Sequence, residues 1–228
     1  MLPTDGPQIV NFNGNLIELP QRIYNTVINS SNIKSHTEEF SLILTDRHSI
    51  EYMSSNPINL RLLSLLIQIS KSRSILEIGA FIGVSSMTMA RALPEDGHLW
   101  SVEKTPEFAR ICRENFRNNN LSNKISLIEG DGLEVIKEFI PHSFDFIFLD
   151  GDKEHYAQYF KILDNLLMPN GLLIADDAFF NGDVLNEIPS TQKGRGVSNF
   201  LSIARVVKGY DKLLLPIGNG MMIMRKSA

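Results

Sequence analysis

The chain reads as an α/β protein: a parallel sheet with helices on both faces, closed by an antiparallel hairpin. Three observations carry this reading. From residue 73 onward, short apolar runs alternate with longer amphipathic stretches, the rhythm of a parallel sheet with crossover helices. Several of those runs end in an acid. Near the end, Lys212–Ile217 and Met221–Met224 flank Gly218-Asn219-Gly220, a turn that joins two antiparallel strands.

The elements follow in chain order. Residues 1–56 are polar, rich in Asn and Ser, and form an N-terminal helical extension with modest helices at Leu19–Ile28 and Glu38–Leu44. They are expected to cover an acceptor pocket or a dimer contact, and residues 57–228 form the main domain. Pro57 suits the first turn of a helix running to Ile69, with Leu62, Leu63, Leu66 and Ile69 at helical spacing. Strands are expected at 74–78, 99–103, 125–129, 144–150 and 172–176. The helices between them are expected at 84–93, 106–118, 133–139 and 154–167.

Composition narrows the function. The 228 residues carry 22 Lys+Arg against 26 Asp+Glu, a net charge of −4, which disfavours a nucleic-acid binder. The single cysteine, Cys112, excludes an internal disulfide and a cysteine zinc site, and fits a reducing compartment. Met1–Gly6 lacks the charged start and apolar core of a signal peptide, and no apolar stretch is long enough to span a bilayer. The chain is therefore read as cytoplasmic, with no membrane partner.

Ligands of open α/β sheets bind beyond the carboxyl ends of the strands. Glu77, Glu103, Asp131, Asp150 and Asp176 fall on that rim, so clustered acids point to a cationic ligand. The first loop, Glu77-Ile78-Gly79-Ala80-Phe81-Ile82-Gly83, lacks the GxGxxG spacing of nicotinamide binding. Glu77 beside it suits a positively charged ligand, and Glu103 suits two ribose hydroxyls. A positively charged nucleoside suggests S-adenosylmethionine. Asp150, Asp176 and Asp177 offer hard oxygens suited to Mg²⁺, Mn²⁺ or Ca²⁺ rather than zinc. Such a cation could hold two adjacent hydroxyls and acidify one of them. Lys153 could take the proton, provided the cation and burial lower its pKa.

The stretches LEIGAFIGVSS, ARALPEDGHLWSVE, FDFIFLDGDKEHY, GLLIADDAFFNGDV and LPIGNGMMIMRK resemble the cation-dependent class I O-methyltransferases, the caffeoyl-CoA and catechol type, over roughly residues 50–228. The resemblance implies a Rossmann-like class I methyltransferase fold, with seven strands and the last antiparallel. It implies that Glu77, Gly79, Ala80, Ser85 and Glu103 hold S-adenosylmethionine. Ser55 and Gly132 would add contacts, and Asp152 would meet the methionine amine. Asp150, Asp176 and Asp177 would bind the cation, Lys153 would be the base, and Asp150 and Asn181 would meet the substrate. A homodimer is implied too. The chain departs from the family pattern at Asp177 (usually Asn), Phe180 (usually Trp) and Val84 (usually Tyr). Ser54–Leu60 differs from the acidic-Gly-Gln run of plant members.

The expected activity is transfer of a methyl group to a hydroxyl of a small catechol-like or phenolic acceptor. A tRNA hydroxyuridine methyltransferase of the same fold is an alternative, as is a non-catalytic nucleoside-binding or dimerisation protein; a nicotinamide dehydrogenase is a weaker third. Arg110, Arg113 and Arg117 read as a solvated helix face beside Glu107 and Glu114. Lys193-Gly194-Arg195-Gly196 reads as part of a long loop, either an anion contact or a plain connector. Cys112 and Trp100 read as packing, and His155 as no relay.

Overall fold

Each central strand alternates its side chains between two apolar layers, and this fixes the sheet's depth in the molecule. The computed structural model describes residues 8–10, 16–18, 21–45 and 53–228; Met1–Gly6 and Leu19 lie outside the described residues. A short antiparallel pair, β1 (Gln8–Val10) and β2 (Leu16–Glu18), precedes α1 (Gln21–Ser30), α2 (His36–Glu39) and α3 (Pro57–Ser70). The main domain continues with β3 (Ser74–Ile78), α4 (Val84–Ala92), β4 (His98–Glu103), α5 (Pro106–Asn118), β5 (Ile125–Glu129) and α6 (Gly132–Val135). It ends with β6 (Phe144–Leu149), α7 (Tyr156–Leu166), β7 (Leu167–Ala175), α8 (Gln192–Val206), β8 (Tyr210–Leu215) and β9 (Met221–Lys226).

The large sheet has seven strands in the order β5-β4-β3-β6-β7-β9-β8. β3 to β7 pair in parallel, while β9 runs antiparallel to both β7 and β8. Ile75, Phe146, Phe148 and Ile174 face one way, onto Leu63 and Ile67 of α3, Met87 of α4 and Phe116 of α5. Leu76, Ile78, Ile147 and Leu149 face the other way, onto Tyr156, Phe160 and Leu163 of α7 and Phe200 of α8. Because both faces are covered, the central strands β3, β6 and β7 are mostly apolar, as buried parallel strands require. From β3 the chain winds outward through β4 and β5, then returns to β6 on the other side. The carboxyl ends of β3 and β6 therefore form the switch point, where such sheets hold their ligands.

Local signals explain several boundaries. Asn56 caps α3 by accepting from the Ile58 N–H at 2.8 Å, and Pro57 occupies its first turn. On α5, Phe108, Ile111, Cys112 and Phe116 form the buried stripe. Arg110 pairs with Glu114 on the outer side of that helix, and Arg113 with Glu129.

Three expectations need correction. The helix expected over Glu38–Leu44 ends at Glu39. Beyond it the backbone finds partners on α5 and at its C-terminal cap: the Ile43 N–H donates to Asn115 Oδ1 at 2.6 Å and the Ser41 N–H to Asn119 Oδ1 at 3.1 Å. Those tertiary bonds replace the helical ones. The helix expected over 133–139 is a four-residue α-helix followed by a 3₁₀ turn, Ile136–Glu138.

The third correction is the larger. Lys193-Gly194-Arg195-Gly196 is not loop but the opening of α8, with Thr191 as its cap accepting from the Gly194 N–H at 2.9 Å. Its glycines disfavour a helix locally, and the packing supplies the reason for Gly196. A Cβ there would lie 2.4 Å from the carbonyl oxygens of both Lys153 and Glu154. Gly196→Ala is therefore expected to push α8 off the 153–155 turn. The expected loss is about 1–3 kcal/mol of stability, read by urea denaturation, because overpacking of a tight contact costs that much.

Among the described residues, no helix is long and apolar enough to cross a membrane.

Candidate active site

The loop after β3 is shaped from two sides before any ligand is considered. Gly79 has φ +96° and lies against the end of β6, where a Cβ would come within 2.5 Å of the Asp150 carbonyl oxygen. Only glycine permits both that backbone angle and that approach. From the side, Glu103 accepts the Phe81 N–H at 2.8 Å and the Thr105 N–H at 2.7 Å. Each carboxylate oxygen of Glu103 thus holds one backbone amide and keeps a second acceptor site.

Glu77 serves the loop from beneath. It is fully buried and accepts from three hydroxyls: Ser85 Oγ at 2.5 Å, Ser101 Oγ at 2.5 Å, and Ser86 Oγ. The sequence predicts that it faces a cationic ligand; its protein partners are these serines. Burial pushes its carboxyl up to about 7, against the lowering effect of the serine hydrogen bonds, while the Asp150 charge adds to the rise. With a folded pKa above the ordinary 4.5, Glu77 favours the folded state below pH 4.5. That contribution is lost as pH climbs to about 7 and is flat beyond it. The stability advantage of the wild type over Glu77→Gln should therefore shrink between pH 5 and pH 8, by on the order of 3 kcal/mol. Denaturant titrations at the two pH values would measure it.

A narrow pocket opens over this loop, lined by Met53, Ser54, Ser55, Gly79, Ala80, Phe81, Val84, Ser85 and Asp150. Four of the expected cofactor residues, Ser55, Gly79, Ala80 and Ser85, thus meet in one cleft with Asp150 as a wall. Ser55 also reaches Asp150, Oγ to Oδ2 at 3.4 Å, and its carbonyl contacts His36 Nε2 at 3.0 Å. The described part of the N-terminal segment is thereby tied to the pocket's rim. Gly132 lies elsewhere, packed at the start of α6 against Tyr159 and Ile78. Asp152 is exposed and turned to His155 Nδ1 at 3.1 Å.

Behind Asp150 the acids gather around one lysine. Lys153 Nζ lies 2.5 Å from Asp150 Oδ1 and 3.1 Å from Asp177 Oδ2, with only 8 % of the residue exposed. Burial pulls its pKa down most strongly, yet Asp150, Tyr156 and Asp177 together outweigh it and hold the ammonium well above the usual lysine value. Burial, with the charges of Asp150 and Asp177, raises the Asp176 carboxyl to about 7. Burial and Asp177 raise Asp150 as well, opposed by Lys153.

The expected metal residues do stand at adjacent strand ends, but they are not gathered into a ready shell. Among the described residues, no group of three or more His, Cys, Asp and Glu could hold a metal ion as it stands. Each carboxylate has a protein partner: Asp150 and Asp177 meet Lys153, and Asp176 Oδ1 accepts from Asn59 Nδ2 at 3.0 Å.

Several residues of the site carry no sequence signal. Asn59 and Ser54 belong to no motif. Asn219, legible only as part of a turn, donates from Nδ2 to Asp177 Oδ1 at 3.0 Å and accepts the Asn181 N–H on Oδ1 at 2.7 Å. The terminal hairpin therefore shapes the loop bearing Asp177 and the exposed Asn181. Tyr156, inside the DGDKEHY stretch, is fully buried; its hydroxyl donates to the carbonyls of Leu149 (3.1 Å) and Asp176 (3.2 Å). It ties the two acid-bearing strand ends together.

The seven-stranded sheet, its closing hairpin and a glycine loop backed by acids at the switch point define a Rossmann-like class I methyltransferase. Comparison with known proteins agrees. The O-methyltransferase family profile matches residues 29–227, and the chain belongs to that family. A catechol O-methyltransferase of Niastella koreensis is 30% identical over 166 residues, 72% of this chain and 75% of that protein. Caffeoyl-CoA O-methyltransferase 2 of Petunia hybrida is 30% identical over 194 residues, 80% of each. In fold, the chain resembles the S-adenosylhomocysteine-bound methyltransferase PaMTH1 of Podospora anserina. That match has a TM-score of 0.77 at 22% identity, covering 94% of this chain and 100% of that one.

Proposed function

We propose that this O-methyltransferase moves a methyl group from S-adenosylmethionine to a hydroxyl of a small catechol-like or phenolic acceptor, with a divalent cation at Asp150, Asp176 and Asp177. One observation carries the reading: Asp150 is at once a wall of the glycine-loop pocket and a member of the acid–lysine cluster. A donor in the first and an acceptor at the second would meet at that residue. The names of the catechol and caffeoyl-CoA relatives support the acceptor class.

The donor set fits a hard cation in kind. Two carboxylates, Asp150 and Asp177, face one ammonium, Asp176 stands beside them, and the Asn59 carbonyl oxygen is buried without a partner next to Asp176. A divalent ion held there supplies positive charge that acidifies and orients the acceptor hydroxyl. The remaining steps belong to the chain. Ser55, Glu77, Gly79, Ala80, Ser85, Glu103 and Gly132 hold the donor, and Asp152 meets its amine. Asp150 and Asn181 orient the acceptor. As the methyl carbon leaves sulfur and bonds oxygen, the hydroxyl proton goes to the Lys153 amine. Lys153 can accept it only while the Asp150 and Asp177 charges are countered, since those charges otherwise keep it an ammonium.

A small acceptor suits this chain better than tRNA. The net charge is −4, and Arg110 and Arg113 are paired with Glu114 and Glu129. We further propose that the protein works in the cytoplasm as a homodimer, expected in light scattering as one species of twice the 25.7 kDa chain mass.

The deciding experiment is methyl transfer to a phenol panel and to tRNA, with Mg²⁺ or Mn²⁺ and with a chelator. Catechol methylation abolished by chelator is expected. Transfer indifferent to chelator would remove the cation from the reading. Binding of S-adenosylmethionine with no transfer to any acceptor would leave a nucleoside-binding protein.

A further inference from the structure

Buried polar atoms nearly always have a partner, so each exception points to a water, ion or ligand that it meets. Among the described residues two buried side-chain atoms have none: the Ser54 hydroxyl and the Asn59 carbonyl oxygen Oδ1. Both lie on one short stretch, and both border the site. Ser54 lines the glycine-loop pocket. Asn59, in the first turn of α3, is 1 % exposed and touches Asp176.

The orientation of Asn59 follows from its neighbours. Its Nδ2 donates to Asp176 Oδ1 at 3.0 Å; turned over, the amide would set its oxygen against a carboxylate oxygen. Gly218 in the hairpin turn closes the space behind it, since a Cβ there would lie 2.8 Å from Nδ2 and 3.1 Å from Oδ1. The amide is thus wedged between a carboxylate and a backbone turn, with its acceptor left over. A leucine would fill the same volume without a desolvated carbonyl, whose burial unpaired is unfavourable. Packing alone gives no reason for the amide.

We infer that Asn59 is a positioning residue of the cation site: its N–H fixes Asp176, and its carbonyl oxygen accepts a hydrogen from water carried by the cation. The inference rests on the cation reading above. Groups of this kind, one step out from the ion, orient the ligands and raise metal affinity about 10–100-fold.

The test needs no acceptor and no turnover. Mn²⁺ is titrated into the full-length protein and free Mn²⁺ is read by electron paramagnetic resonance, for the wild type, Asn59→Leu and Asp176→Asn. Asn59→Leu should weaken Mn²⁺ binding about 10–100-fold, with S-adenosylmethionine affinity by calorimetry within twofold of wild type. A second variant covers the case in which leucine disturbs folding. Asn59→Asp keeps an oxygen acceptor and adds a charge beside Asp176. It should melt below the wild type without cation, then gain more from Mn²⁺ than the wild type does. If Asp176→Asn loses Mn²⁺ while Asn59→Leu binds it within twofold of wild type, Asn59 has no such role and the cation reading stands. An Asn59→Asp protein that gains no more from Mn²⁺ than the wild type likewise denies Asn59 that role. If wild type and Asp176→Asn take up Mn²⁺ equally, the cation reading falls and this inference falls with it.

Discussion

Replacing Asp150 by alanine is expected to lower kcat/KM for methyl transfer about a thousandfold, the loss seen when a charged group aimed at the reacting centre is removed. Three functions sit on this one side chain. It walls the glycine-loop pocket proposed for the donor, it is an expected ligand of the cation, and it is the nearer partner of Lys153 at 2.5 Å. The substitution leaves Lys153 buried with Asp177 alone at 3.1 Å. Breaking a buried ion pair on one side costs about 3–5 kcal/mol, so a lower melting temperature should accompany the kinetic loss. The two effects are separated by measuring kcat/KM well below the variant's melting transition. A fall of less than tenfold there would show that donor and acceptor do not meet at Asp150.

Lys153→Met should lower kcat about 10²–10⁴-fold, the usual range for a general base, and leave KM for S-adenosylmethionine within a few-fold. The split follows from geometry, because the amine faces Asp150 and Asp177 and does not line the donor pocket. Lys153→Arg distinguishes proton transfer from charge. A guanidinium keeps the positive charge but stays protonated, so it should not restore the rate. Recovery by arginine would make Lys153 an electrostatic partner of the oxyanion and not its base.

What could be read from the sequence was what depends on near neighbours. The runs 74–78 and 125–129 and the helix 106–118 match β3, β5 and α5 residue for residue, since apolar periodicity and a leading proline are local signals. α8 was hidden because Gly194 and Gly196 argue against a helix until the 153–155 turn beneath Gly196 is seen. The acid-lined rim was legible because acids at strand ends need no tertiary knowledge. The partners of those acids were not. Asn59 meets Asp176 across 117 residues, and Asn219 meets Asp177 across 42. No periodicity links such pairs. Glu77 shows the same limit from the other direction: its position beside the loop was right, but its three serine donors come from α4 and β4.

Those serines have a thermodynamic corollary. With Glu77 clamping α4 from below and Glu103 clasping Phe81 from the flank, the turn proposed to receive the nucleoside is braced from two sides before the encounter. Association then forfeits little chain entropy, and affinity comes from contact rather than from ordering. Loosening the clamp would appear first as slower capture and a larger entropic penalty in calorimetry, with the bound state's contacts intact.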